Sequence, residues 1–249
     1  MDPGAVIITG AGRGIGAATA KSLALLGYRI CVNWQRSREQ ADAVVAAIVA
    51  DGGVAIAHHA DISIDHDVVA MFNRVDRDLG RLSGLVNNAG ITGPCCSTRE
   101  IADVDLDRVF AVNVKGAFLC AREAVRRMSR SRGGSGGSIV NVSSVVSRLG
   151  SPHEWVHYAS SKGALNTLTI GLAKEVAKEG IRVNAVAPGF IDTEIHRGHK
   201  DGDRIEKAAG TIPCGRVGRV EEVAHAITWL FSEQASYVFG VTLDVGGGR

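Results

Sequence analysis

Residues 6–27, "VIITGAGRGIGAATAKSLALLG", decide the fold. Val6 to Thr9 are four consecutive β-branched residues, the pattern of a strand covered on both faces. Gly10, Gly12, Gly14 and Gly16 follow, and then apolar residues recur at helical spacing until Gly27. A strand that turns through glycine into a helix is the opening of a βαβ unit. Glycines let the backbone turn sharply and approach a bound group, while the helix N-terminus offers unpaired N–H groups and a positive dipole end. The stretch therefore predicts a pyrophosphate cradle as well as a strand and a helix. A tight turn without a ligand is the simpler alternative, disfavoured by its place after the first strand.

The alternation continues to the end of the sequence. "AVIIT" (5–9), "YRICVNW" (28–34), "VAIAHH" (54–59), "LSGLVN" (82–87), "SIVNVS" (138–143), "IRVNAVA" (181–187) and "VTLDV" (241–245) read as seven strands. Helical patterns separate them, among them residues 101–129 and 157–179. Strands alternating with helices imply right-handed crossovers, hence an α/β fold with a doubly wound parallel sheet of the Rossmann type. "SRGGSGGS" (131–138) resembles a linker, but it lies inside one alternation and reads as a surface loop. Residues 1–249 are accordingly expected to form a single dinucleotide-binding and catalytic domain. The polar stretch within residues 191–213 has no strand and suits a flap over a ligand.

Composition narrows the function classes. A chain of 249 residues can bury roughly three quarters of its unfolded surface without disulfides or a structural metal. A formal net charge of +2 gives no sign of a nucleic-acid partner. No apolar run reaches the length of a membrane span, and no secretory signal precedes the first strand. Five cysteines, Cys31, Cys95, Cys96, Cys120 and Cys214, show no metal-ligand spacing and read as buried or half-buried thiols. The expected location is the cytoplasm, with no metal, no membrane and no nucleic acid.

The second strand ends "VNWQRS", without the acidic residue that would bind both ribose hydroxyls of NAD. Arg36 follows it and Arg13 stands in the glycine turn, and guanidinium groups clamp phosphate oxygens well. NADP is the expected cofactor and NAD the alternative.

"YASSK" (158–162) puts Tyr158 and Lys162 four residues apart, on one face of a helix. Tyr28 and Tyr237 have valine at the same offset, so Tyr158 alone makes this pair. Ser144 lies upstream at the C-terminal end of the fifth strand, where open α/β sheets bind ligands.

"TGAGRGIG" (9–16), "NNAG" (87–90), Asn113 within "FAVNVKG", "NVSS" (141–144), "YASSK" and "PGFIDT" (188–193) stand in the order of the motifs of the short-chain dehydrogenase/reductase family, which the whole chain resembles. Its most similar members are bacterial sugar dehydrogenases and 3-oxoacyl carrier protein reductases. The resemblance implies hydride transfer between a nicotinamide and an alcohol or carbonyl, with Asn113, Ser144, Tyr158 and Lys162 as the catalytic residues. Tyr158 would exchange the proton, and Lys162 with the oxidised nicotinamide would lower its pKa from near 10. Ser144 would bond the substrate oxygen, although Ser143 is an alternative. Asn113 would interrupt its helix and hold a water linked to Lys162. The cofactor would lie against Gly10, Gly12, Arg13, Gly14, Ile15, Gly16, Asn33, Arg36, Asp61, Ile62, Asn87, Ala89, Gly90, Tyr158, Lys162, Pro188, Gly189, Ile191 and Thr193. Read without the resemblance, Asp61 is a helix N-cap, and Asn87 and Asn88 shape a turn.

His153, Glu154 and Trp155 are expected to wall the substrate end, with Glu194, Ile195 and His196 from the flap. Polar groups beside one indole suit a sugar or polyol; a 3-oxoacyl thioester is the alternative. A non-enzymatic dinucleotide-binding regulator is disfavoured because all four catalytic types are present. A nucleotide-sugar epimerase is disfavoured by the short region after Pro188. The last strand and the two long helical regions suggest a homotetramer.

Overall fold

A computed structural model describes residues 3–193 and 209–249. Its centre is one seven-stranded sheet in the order β3-β2-β1-β4-β5-β6-β7. The strands are β1 (Ala5–Ile8), β2 (Arg29–Trp34), β3 (Ala55–His59), β4 (Leu82–Asn87), β5 (Gly137–Val142), β6 (Ile181–Pro188) and β7 (Thr242–Val245). Every neighbouring pair is parallel. The helices are α1 (Gly14–Leu25), α2 (Arg38–Ala50), α3 (Asp65–Asp78), α4 (Asp103–Phe110), α5 (Gly116–Met128), α6 (Val146–Leu149), α7 (Val156–Val176) and α8 (Val220–Phe231).

The chain order runs outward from β1 in one direction and from β4 in the other, so the strand order reverses between them. At such a point the connections leave on opposite faces and open a crevice beyond the carboxyl ends of the strands. Each face has its own apolar core. One gathers Ile7, Leu85 and Ile139 with Met71 and Phe72 of α3. The other gathers Val6, Ile8 and Val86 with Leu23 of α1 and Ile227 of α8. Alternate residues of one strand thus serve opposite cores, which is why the strands are apolar throughout.

The glycine-rich stretch at 131–138 is a tight crossing. A Cβ at Gly134 would meet the Met128 carbonyl at 2.4 Å, and one at Gly137 would meet the Ser83 oxygen at 2.3 Å. Close backbone approach, not linker flexibility, explains those glycines. The cysteines divide in a way the sequence expectation missed. Cys31 and Cys120 are buried, but Cys95 and Cys214 are exposed. Among the described residues, no helix is long and apolar enough to cross a membrane.

Candidate active site

The crevice is a cleft of about 1050 Å³ at the carboxyl ends of the strands. One end is the glycine turn. Gly10 and Gly14 have left-handed φ of +63° and +56°, which bends the chain from β1 into α1. Arg13 stands at the N-cap of α1 with extended backbone, makes no side-chain cap, and is followed by no acidic residue in the first turn. The N-terminal N–H groups of α1 are therefore left for a ligand, with the dipole uncompensated. Asn33, 2% exposed, pins this turn: its Oδ1 accepts from the Gly10 N–H at 3.1 Å. Its Nδ2 donates to the carbonyls of Ala60 at 3.2 Å and His58 at 3.4 Å. The Asn33 amide is thus committed to the backbone at the ends of two strands, β1 and β3.

Beyond the end of β2 the wall carries Trp34, Gln35 and Arg36. No carboxylate follows β2 directly, but Asp61 reaches the same wall from the end of β3. Its Oδ1 accepts from the Ser63 N–H at 2.9 Å, and its Oδ2 pairs with Arg108 of α4 at 3.0 Å. Gln35 Nε2 donates to that Oδ2 at 2.7 Å. Burial raises the Asp61 pKa, but bonds from Ser63 and Arg108 outweigh it and hold the carboxyl below its usual range. Asp61 is not the N-cap of α3, which is Ile64; its carboxylate closes a turn onto Ser63 instead and stands on the cleft wall.

The catalytic candidates converge across the cleft, on the first turns of α7 and the end of β5. Lys162, 3% exposed, donates from Nζ to the Val142 carbonyl at 2.7 Å. Its Nζ lies 5.6 Å from the centre of the Tyr158 ring. A Cβ added at Gly90 would come within 3.3 Å of Nζ, so that glycine keeps the ammonium's side of the cleft open. Ser143 donates its hydroxyl to the Lys162 carbonyl at 3.1 Å, whereas the Ser144 hydroxyl donates to the Pro188 carbonyl at 3.4 Å and is the one close enough to Tyr158 to act on its phenol. Of the two serines, Ser144 rather than Ser143 therefore lines the cleft with its hydroxyl beside Tyr158.

Two expectations change here. Burial pushes the Tyr158 phenol up to about 12, and Ser144 is the neighbour that pulls it down. Burial also drives Lys162 down to about 8, so its ammonium is neutralised before the buried phenol titrates and lowers nothing there, although it is still charged at neutral pH. Asn113 sits at the centre of a π turn, Ala111–Lys115, joining α4 to α5. Its side chain, however, is taken up by protein. Oδ1 accepts from Ile91 N–H, while Nδ2 donates to the Ile91 carbonyl and to Ser161 Oγ, each at 2.9 Å. Ser161 Oγ in turn donates to the Tyr158 carbonyl at 2.7 Å. The Asn113 amide braces the catalytic helix; only its backbone is left for a water.

Of the residues expected to contact a cofactor, Gly10, Gly12, Arg13, Gly14, Ile15, Asn33, Arg36, Asp61, Ile62, Ala89, Gly90, Tyr158, Lys162, Pro188, Gly189, Ile191 and Thr193 line the cleft. Gly16 and Asn87 do not. A Cβ at Gly16 would meet Asn88 Nδ2 at 2.6 Å, so Gly16 serves close packing behind the turn. Asn87 donates to Asn141 Oδ1 at 3.0 Å and belongs to a buried polar ladder. Glu154 and Trp155 line the substrate end with Phe190, Thr211 and Arg249; His153 does not reach it. Arg108, Gln35 and Arg249 were missed because their places depend on chain crossings that no local spacing encodes. Glu194, Ile195 and His196 lie outside the described residues. Among the described residues, no group of three His, Cys, Asp or Glu could hold a metal.

A turn with open N–H groups, a wall of guanidinium groups and a phenol–hydroxyl–ammonium set at opposite ends of one cleft fit an extended dinucleotide. The comparisons agree. A family model described as enoyl-(acyl carrier protein) reductase matches residues 10–249. The uncharacterized oxidoreductase YgfF of Escherichia coli (strain K12) is 51% identical over 243 residues, covering 98% of each chain. The 3-oxoacyl-[acyl-carrier-protein] reductase FabG of Staphylococcus aureus is 39% identical over 97% of this chain and 96% of its own. A mutant short-chain dehydrogenase/reductase from Serratia marcescens superposes with a TM-score of 0.91 at 33% identity, over 98% of this chain and 97% of that one. The chain belongs to the short-chain dehydrogenase/reductase family. It is an oxidoreductase that acts on CH–OH or carbonyl groups with NAD(P).

Proposed function

We propose that this enzyme reduces a carbonyl, or oxidises the matching alcohol, on a small polar substrate of the sugar or polyol kind, with NADP as the preferred cofactor. The observation that carries the reading is the convergence of Ser144, Tyr158 and Lys162 on the cleft into which the glycine turn opens. When bound, the nicotinamide supplies or accepts the hydride. Tyr158 gives its hydroxyl proton to the substrate oxygen during reduction, and takes it back during oxidation. Ser144 donates to the same oxygen and stabilises charge on it. Lys162, with a pKa of about 8, is largely protonated at neutral pH and favours the phenolate that Tyr158 becomes. Asn113 and Ser161 fix the helix that carries both groups.

Arg36 and Arg13 on the cleft wall, with no carboxylate following β2, favour a 2′-phosphate over free ribose hydroxyls. Thr92, Ser151 and Glu154 beside Trp155 favour a hydroxylated substrate. The second reading, a 3-oxoacyl thioester, is favoured by the FabG relative and by the apolar wall of Val145, Leu149 and Phe190. Residues 1–249 act as one unit, in the cytoplasm, where exposed thiols such as Cys95 persist. Exposed Phe110 and Phe118 near α4 and α5, and Trp229, Tyr237 and Phe239 near β7, favour contacts between copies in a homotetramer.

The test is a turnover screen with NADPH and NADH over aldoses, polyols and 3-oxoacyl esters. Saturable turnover with NADPH ahead of NADH supports the proposal. Dinucleotide binding without turnover on any carbonyl would return the regulator reading instead.

A further inference from the structure

Five basic side chains line the cleft, against the carboxylates of Asp61 and Glu154. Four of the five have a place in the account above. Arg13 and Arg36 stand at the glycine turn and after β2, Arg108 pairs with Asp61, and Lys162 donates to Val142. Arg249 is left over; it lines the same cleft, and the turn that leads to it packs against Gly189, Ile212 and Pro213. Among the described residues no ion pair or side-chain hydrogen bond engages its guanidinium.

Its position is built by the turn before it. Gly189 N–H donates to the Val245 carbonyl at 3.0 Å, and Cys214 N–H donates to the Gly247 carbonyl at 3.1 Å. Gly247 and Gly248 have φ of +64° and +95°, conformations that glycine adopts without strain. A Cβ at Gly248 would stand only 3.0 Å from Pro213 Cβ, and one at Gly189 only 2.7 Å from the Gly246 Cα. The turn is therefore wedged between two segments that border the reacting end, which brings Arg249 to the substrate side of the cleft.

We propose that Arg249 selects substrates that carry an anionic group, a carboxylate or a phosphate, on the hydroxy or oxo compound presented to Tyr158. This rests on the oxidoreductase reading above and deepens it. A planar guanidinium bonds carboxylate and phosphate oxygens in pairs. An anionic end held by Arg249 leaves the carbonyl end for Ser144 and Tyr158. A neutral polyol uses no such group.

Two matched pairs separate the sources of charge: acetoacetate with methyl acetoacetate, and dihydroxyacetone phosphate with dihydroxyacetone. Each is assayed by steady-state turnover and by calorimetric titration of the enzyme saturated with NADP, for wild type, Arg249→Gln and Arg249→Lys. In Arg249→Gln, KM and the dissociation constant for at least one anion should rise roughly tenfold, with kcat and the neutral partner unchanged. Arg249→Lys should recover part of the loss. Equal losses for anion and neutral partner, unchanged anion affinity in Arg249→Gln, or no anion binding to wild type at millimolar concentration overturn the proposal. Loss of anion binding in Arg249→Gln, in an enzyme that turns over no carbonyl, keeps the anion site and rejects the oxidoreductase reading. Turnover without anion preference does the reverse.

Discussion

Replacing Lys162 by methionine should stabilise the unliganded protein at pH 7 while abolishing turnover. Lys162 is 3% exposed, and burial alone lowers its pKa from 10.5 to about 8. At about 1.4 kcal/mol per pKa unit, holding the ammonium in that site costs the fold about 3 kcal/mol. Methionine removes this cost but leaves the Val142 carbonyl, which Nζ reaches at 2.7 Å, without its donor. That loss returns about 1–2 kcal/mol, so the variant gains about 1–2 kcal/mol at pH 7. The sign follows from linkage: the folded pKa is depressed, so between about 8 and 10.5 the unfolded chain binds more protons and wild-type stability rises with pH. Below about 8 the burden on wild type is complete; toward 10.5 it fades. The advantage of Lys162→Met should shrink by about 2 kcal/mol between pH 7 and pH 10. Urea unfolding at both pH values and matched protein concentration reads this as a midpoint shift at unchanged slope. A stability difference that is the same at pH 7 and pH 10 refutes the reasoning.

Asn33→Leu should leave the Gly10 N–H and the Ala60 carbonyl unpaired, destabilising the protein by about 2–4 kcal/mol and weakening NADPH binding. Thermal melting and a fluorescence titration check both, and an unshifted melt contradicts the pinning role. Gly16→Ala should cost about 1–3 kcal/mol, because its Cβ would stand 2.8 Å from the Gly10 carbonyl oxygen, which cannot rotate away as a side chain can. A variant that melts and binds NADPH like wild type argues against close packing behind the turn.

Local chemistry made much of this legible. The strands fall within a residue or two of their sequence readings because the central ones bury both faces and the runs end at glycine or a polar turn. Gly10 and Gly14 adopt the left-handed φ that a turn into a helix needs. What stayed hidden depends on contacts distant in sequence. Asn33 reads as a cofactor contact, and only the fold shows that β1 and β3 bring Gly10 and Ala60 to its amide. Asn113 reads as a water holder, and only the fold shows that Ile91 and Ser161, 22 and 48 residues away, occupy its side chain and leave that role to its backbone. The Tyr158 and Lys162 spacing is visible in "YASSK", but spacing says nothing of burial, which moves both groups in opposite directions from those expected of a freely solvated pair. Arg249 was invisible as a cleft residue because its place comes from the wedge of Gly189, Cys214 and Pro213.

The central claim is that the Tyr158 hydroxyl moves the proton. Its most direct measurement is the rate of the chemical step in Tyr158→Phe, followed in single turnover at saturating NADPH with a carbonyl that wild type reduces. The account predicts unchanged melting and NADPH affinity with a rate lower by at least about a hundredfold. A phenylalanine enzyme that reduces the carbonyl at the wild-type rate contradicts it.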